Sequence, residues 1–136
     1  MVSTTNSFTI KGKNLQHIVQ GGMGVGVSAH RLAGAVAQCG GVGTISCVDL
    51  RHLHPDLLAQ TEKSHNKELI NQVNLIALDR EIKAAHAIAK GNGLIAVNIM
   101  RAVSEYAAYV KQACESGAEA IVVGAGLPLD LPDLTA

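Results

Sequence analysis

The feature that most limits what this chain can fold into is an alternation of short, apolar runs with longer amphipathic ones. The short runs are residues 17–20 (HIVQ), 42–48 (VGTISCV), 94–100 (LIAVNIM) and 120–123 (AIVV). They are rich in β-branched residues and do not alternate with polar ones. That is the pattern of strands buried on both faces, as in parallel sheets covered by helices. The stretches between them read as helices. Ser28 can cap a helix whose Leu32, Ala33, Val36 and Ala37 share one face, and Gly40-Gly41 stops it. Residues 67–90 form the longest candidate, with Val73, Ile82, Ala85, Ile88 and Ala89 on its buried side. Ile76, Arg80, Lys83, Ala87 and Lys90 mark its other side, and Gly91 and Gly93 end it. A third helix starts near Ser104, shows Tyr106, Val110, Ala113 and Cys114 at helical spacing, and ends at Gly117.

The expected architecture is therefore α/β, with four parallel strands in the order 1-2-3-4 and three crossover helices. Right-handed crossovers between neighbouring strands put all three helices on one face. Residues 49–66 are polar, carry Pro55 and read as a long loop with a short helix at 55–58. The last ten residues, LPLDLPDLTA, hold two prolines and read as non-helical.

Composition narrows the function. At 136 residues, 48% hydrophobic and 16% charged, the chain reads as one globular domain. Eleven basic and eleven acidic residues leave no net charge, so there is no electrostatic pull toward nucleic acid or an anionic membrane. With 2% aromatic residues it offers no base-stacking platform. It has no run of 18 apolar residues to span a membrane, and residues 1–13 hold no apolar stretch resembling a signal peptide. Cys39, Cys47 and Cys114 are scattered and odd in number, which points to reduced, buried thiols in a cytoplasmic protein. His52 and His54 are spaced as a metal pair, but no Cys, Asp or Glu completes a set, so no metal is expected.

Ligands of α/β folds sit at the C-terminal ends of parallel strands. The first run ends in Gln20-Gly21-Gly22-Met23, where bare backbone can approach a flat ligand. The second ends in Ser46-Cys47. The third holds Asn98 as its one polar residue, and a buried carboxamide needs partners. The fourth ends in Gly124-Ala125-Gly126. A competing signal is Gly24-x-Gly26-x-x-Ala29 with Asp49 twenty residues on, which fits the dinucleotide fingerprint and its ribose-binding acid.

Residues 19–46, VQGGMGVGVSAHRLAGAVAQCGGVGTIS, closely resemble the start of the nitronate monooxygenase (2-nitropropane dioxygenase) family, which includes FMN-dependent enoyl-acyl-carrier-protein reductases. Ala96-Val97-Asn98-Ile99-Met100 and Val123-Gly124-Ala125-Gly126-Leu127-Pro128 match the family in the same order, and the resemblance covers roughly residues 15–134. It implies the N-terminal half of a TIM (β/α)8 barrel, four parallel strands with helices on the outer face, and FMN as cofactor. It also implies roles. Gln20, Gly21, Gly22 and Met23 would lie against the flavin through backbone, Asn98 would hydrogen-bond it, and Ser46 would lie near the ring. Gly124, Ala125 and Gly126 would line the substrate side. The dinucleotide fingerprint would then be coincidental. His17 stands where the family often has proline.

The phosphate-gripping loops and the catalytic histidine of such enzymes belong to the second half of the barrel, and none of the six histidines here matches the latter. The expectation is an incomplete, inactive fragment of a flavin-dependent monooxygenase that oxidises alkyl nitronates with oxygen, and that binds FMN weakly or not at all. NAD(P)H-dependent enoyl-thioester reduction and a non-catalytic half-barrel module are the alternatives. The expected partners are a small-molecule substrate and a second copy, self-associating through open barrel edges.

Overall fold

The computed structural model describes residues 7–136; the expected absence of a signal peptide falls, for residues 1–6, outside them. Ser7–Ile10 (β1) and Lys13–Gln16 (β2) form an antiparallel hairpin, with Ile10 opposite Lys13. Lys11 and Gly12 between them both have positive φ, 50° and 76°. That is what a two-residue hairpin turn needs to match the strand twist. The chain then runs through His30–Gln38 (α1), Val42–Ser46 (β3), a 3-10 turn at Leu50–Leu53 and Pro55–Thr61 (α2). Lys67–Ala89 (α3), Leu94–Met100 (β4), Tyr106–Glu115 (α4), Ala120–Gly124 (β5) and Leu131–Thr135 (α5) follow.

Strands β3, β4 and β5 make a parallel sheet in that order. Alternation splits its side chains between two faces. Ile45, Cys47, Ile95, Val97 and Ile99 pack with Ala33, Val73, Leu78, Ile82 and Val110 of the helices. The contact with α1 is so close that a Cβ on Gly43 would sit 1.8 Å from the Ala33 carbonyl oxygen. On α3, Asn66 caps the N-terminus by accepting from the amides of Glu68 and Leu69, and Lys90 ends the helix in the left-handed conformation. The other sheet face is covered at its lower end by the hairpin. Leu15 is buried there with Val42, Leu94 and Ala96, and Phe8 and Ala120 pack beside it. Fully burying a leucine contributes about 1.5–3 kcal/mol, so the hairpin is an integral layer.

This overturns the expected four-stranded half-barrel. The described residues hold a two-stranded antiparallel sheet and a three-stranded parallel one. Residues 17–20 form no strand. Val19 makes a single parallel bridge to Val42, through Gln20 N–H to the Val42 carbonyl at 2.9 Å and Val42 N–H to the Ile18 carbonyl at 2.8 Å. The ladder stops because Gly21-Gly22 turns the chain across the sheet. The Gln20 side chain takes over instead, its Oε1 accepting from Thr44 N–H and its Nε2 donating to the Thr44 carbonyl. Two smaller expectations also change. The tail is partly helical, because Pro132 is tolerated in the first turn of α5. Only Cys47 of the three free cysteines is buried, Cys39 and Cys114 being exposed. Among the described residues no helix is long and apolar enough to cross a membrane.

Candidate functional site

Register places Ser46 opposite Asn98, and Asn98 opposite Val122. All three lie on the face away from the helices, at its upper end beyond the hairpin. The segment leaving Gln20 folds over this row. A Cβ on Gly22 would be 2.6 Å from both Cβ and Nδ2 of Asn98, and one on Gly24 would be 3.2 Å from Ser46 Oγ. Glycine at position 22 is thus required by close approach. Ser28 staples the segment: its amide donates to the Met23 carbonyl, its hydroxyl accepts from Met23 N–H, and its carbonyl accepts from Ser46 N–H. This corrects the reading of Ser28 as a helix cap. Ala29 holds the cap position of α1 and makes no side-chain hydrogen bond there.

Gln20, Gly21, Gly22, Met23, Ser46 and Asn98 are therefore neighbours, with the Gln20 carboxamide engaged by Thr44 and its backbone amide by Val42. The Asn98 carboxamide is half-buried and has no hydrogen-bond partner among the described residues, and the amides of Gly21 and Gly22 donate to none. Gly124, Ala125 and Gly126 continue from β5 at the same end and are exposed. Gly124 accepts from Arg101 N–H, and Gly126 packs on the Arg101 side chain. That guanidinium stacks over the Tyr106 ring at 4.7 Å and lies 3.3 Å from Asp130. The row itself is neutral. It offers a carboxamide, a hydroxyl and bare amides.

The dinucleotide alternative does not suit this geometry. No strand runs into Gly24, and the N-terminus of α1, where a pyrophosphate would sit, is held by a carboxylate. Glu81 Oε2 accepts from the backbone amide of His30 at 2.8 Å. Asp49 faces Asn74 and Arg51, its Oδ1 lying 3.3 Å and 3.4 Å from them.

Glu81 was not singled out from the sequence. It is buried, with His30 Nδ1 2.7 Å from Oε2 and His54 Nε2 2.9 Å from Oε1. The His54 approach is too oblique for a hydrogen bond, and that nitrogen has no other partner. A signal existed: Glu81 sits four residues from Ala77 and from Ala85, in the middle of the buried stripe of α3. A carboxylate there must be paired. Among the described residues no three His, Cys, Asp or Glu side chains are placed to hold a metal ion. No protein-family model matches the chain, and no curated protein matches it.

Proposed function

We propose that this chain carries the ring-binding side of a flavin site in an FMN-dependent oxidoreductase of the nitronate monooxygenase type. The substrate would be a small activated carbon acid such as an alkyl nitronate. One observation carries the reading. Asn98 presents an unpartnered, half-buried carboxamide at the C-terminal end of a parallel strand, against the bare backbone of Gly22. Its polar atoms are not sealed from solvent, so they are free to pair with a ligand, and ligands of parallel sheets collect at this end.

The groups present fit the edge of a neutral, planar heterocycle. Asn98 supplies a donor and an acceptor, Gly21 and Gly22 supply amide donors, and Ser46 adds a hydroxyl. FMN, when bound, supplies the electron chemistry. The task of the protein groups is to orient the ring and keep its approach open. The exposed Gly124–Gly126 segment borders the substrate side. Nothing in the Ser46–Asn98–Val122 row is cationic, so these residues address the ring and not the phosphate.

Titration of the chain with FMN and with riboflavin, followed by quenching of flavin fluorescence, tests this reading. Both flavins are expected to bind weakly, saturably and with similar affinity. Asn98→Ala is expected to weaken both by the loss of one hydrogen bond, about 0.5–1.5 kcal/mol. FMN binding far tighter than riboflavin would reveal a phosphate site among these residues. Absence of saturable quenching by either flavin, or an Asn98→Ala variant that binds as well as the parent, would refute the assignment.

A further inference from the structure

A cavity of about 160 Å³ lies on the helix side of the sheet, between the ends of β3 and β4 and the first turns of α3 and α4. Its apolar lining includes Ile70 and Val103 with the Cys47 thiol. Burial pushes that thiol up to about 12, so it stays protonated and neutral.

Asn74 donates from Nδ2 to Asp49 Oδ1 at 3.3 Å and accepts Arg51 N–H on its Oδ1 at 3.1 Å. Arg51 Nε lies 3.4 Å from the same Asp49 oxygen. Asn71 donates from Nδ2 to Glu105 Oε1 at 2.8 Å, and Ser104 Oγ donates to that oxygen too. The free acceptors are Asp49 Oδ2, Glu105 Oε2 and Asn71 Oδ1, and the second amide hydrogens of Asn71 and Asn74 remain as donors. Arg51 offsets the charge of Asp49, and Lys67 acts on Glu105 from beyond ion-pair distance. Both carboxylates reach the same space. Burial first, then Cys47, Asp49 and Glu105, push the Tyr109 phenol above its ordinary value.

We propose that this cavity binds a small primary ammonium ion on a short apolar stem. The ammonium meets Glu105 Oε2 and Asn71 Oδ1, and the stem lies on Ile70 and Val103. An ammonium group has three donors and no acceptor, and Glu105 Oε2 and Asn71 Oδ1 are free to accept from it. An apolar cavity of about 150 Å³ accommodates benzene, which sets the stem at roughly four to six carbons.

The test is nitrogen–proton correlation NMR of the whole chain, titrated near neutral pH with n-butylammonium, 1-butanol and butyrate in turn. Butylammonium is expected to give saturable shifts at Cys47–Asp49, Asn71, Asn74 and Val103–Glu105. Butanol should bind about tenfold more weakly, butyrate should not bind, and added salt should weaken the butylammonium complex. Glu105→Gln should reduce butylammonium affinity about tenfold with an otherwise unchanged spectrum. Equal binding of butanol and butylammonium, a folded Glu105→Gln variant of parental affinity, or no saturable shifts would overturn the proposal. Should that variant not fold, the three ligands on the parent chain decide alone.

Discussion

Replacing Glu81 sets two opposed terms against each other. Its carboxylate is 1% exposed, so it carries a desolvation cost of several kcal/mol. A leucine of similar size would recover that cost, and buried ionic groups replaced by hydrophobes are often neutral or stabilising. Against this stand two well-formed hydrogen bonds from His30, at 2.8 Å from its amide and 2.7 Å from Nδ1. Hydrogen bonds to a charged group contribute about 1.5–3 kcal/mol each. The two imidazoles have 32% and 18% of their side-chain surface exposed and can turn to water when the carboxylate is removed. The amide of His30 cannot, because it is fixed in the first turn of α1. Leaving it without an acceptor costs about 1–3 kcal/mol, and losing a negative charge at a helix N-terminus costs about 0.3–1 kcal/mol more.

The balance is a net loss of about 2–3 kcal/mol for Glu81→Leu. Glu81→Gln keeps an acceptor for the amide and should lose about 1–2 kcal/mol. Urea unfolding followed by far-ultraviolet circular dichroism measures both, as midpoint shifts at constant slope. In thermal melts the leucine variant should drop by roughly 6–12 °C. A Glu81→Leu variant as stable as the parent, or more so, would mean that desolvation outweighs the His30 contacts and that Glu81 does not hold α1 to α3.

Gly43→Ala should cost about 3 kcal/mol or more, because its methyl group would meet the Ala33 backbone and displace α1; a melt within about 1 kcal/mol of the parent would contradict that packing. For Glu119, burial pushes the carboxyl up, but hydrogen bonds from Lys13 Nζ and Ile95 N–H outweigh it and hold it below its usual value. Its contribution is thus present above the ordinary carboxylate value, about 4.3, and lost as the pH falls through the lower folded value. The stability gap between the parent and Glu119→Gln should close on acidification over that window, and a gap constant from pH 2 to 6 would exclude it. Among the described residues β5 is paired on one side only, and Val122, Leu127 and Leu129 are exposed. Self-association at micromolar concentration is therefore expected, and a sharp monomer in size-exclusion chromatography with light scattering would refute it.

The sequence by itself determined the elements whose pattern is local and strong. LIAVNIM is β4 residue for residue, and the long amphipathic stretch is α3 to within one residue of its end. Period and length decide such segments before any tertiary contact forms. The polar row was legible in part, because Asn98 is the one carboxamide in an apolar strand. Tertiary structure decided the rest. Residues 17–20 look like a strand by composition, yet a strand exists only as far as its partner ladder runs. Here that ladder ends at one bridge, and a glutamine side chain replaces it. The hairpin at residues 7–16 was missed because strands of four residues carry little periodicity, and Leu15 matters only once Val42 and Leu94 lie beneath it. Glu81 reads as one more charge on a helix until His30 and His54, 51 and 27 residues away in the chain, close on it. Such pairings depend on how α1 and the loop before α2 settle against α3, and local pattern does not encode long-range contact.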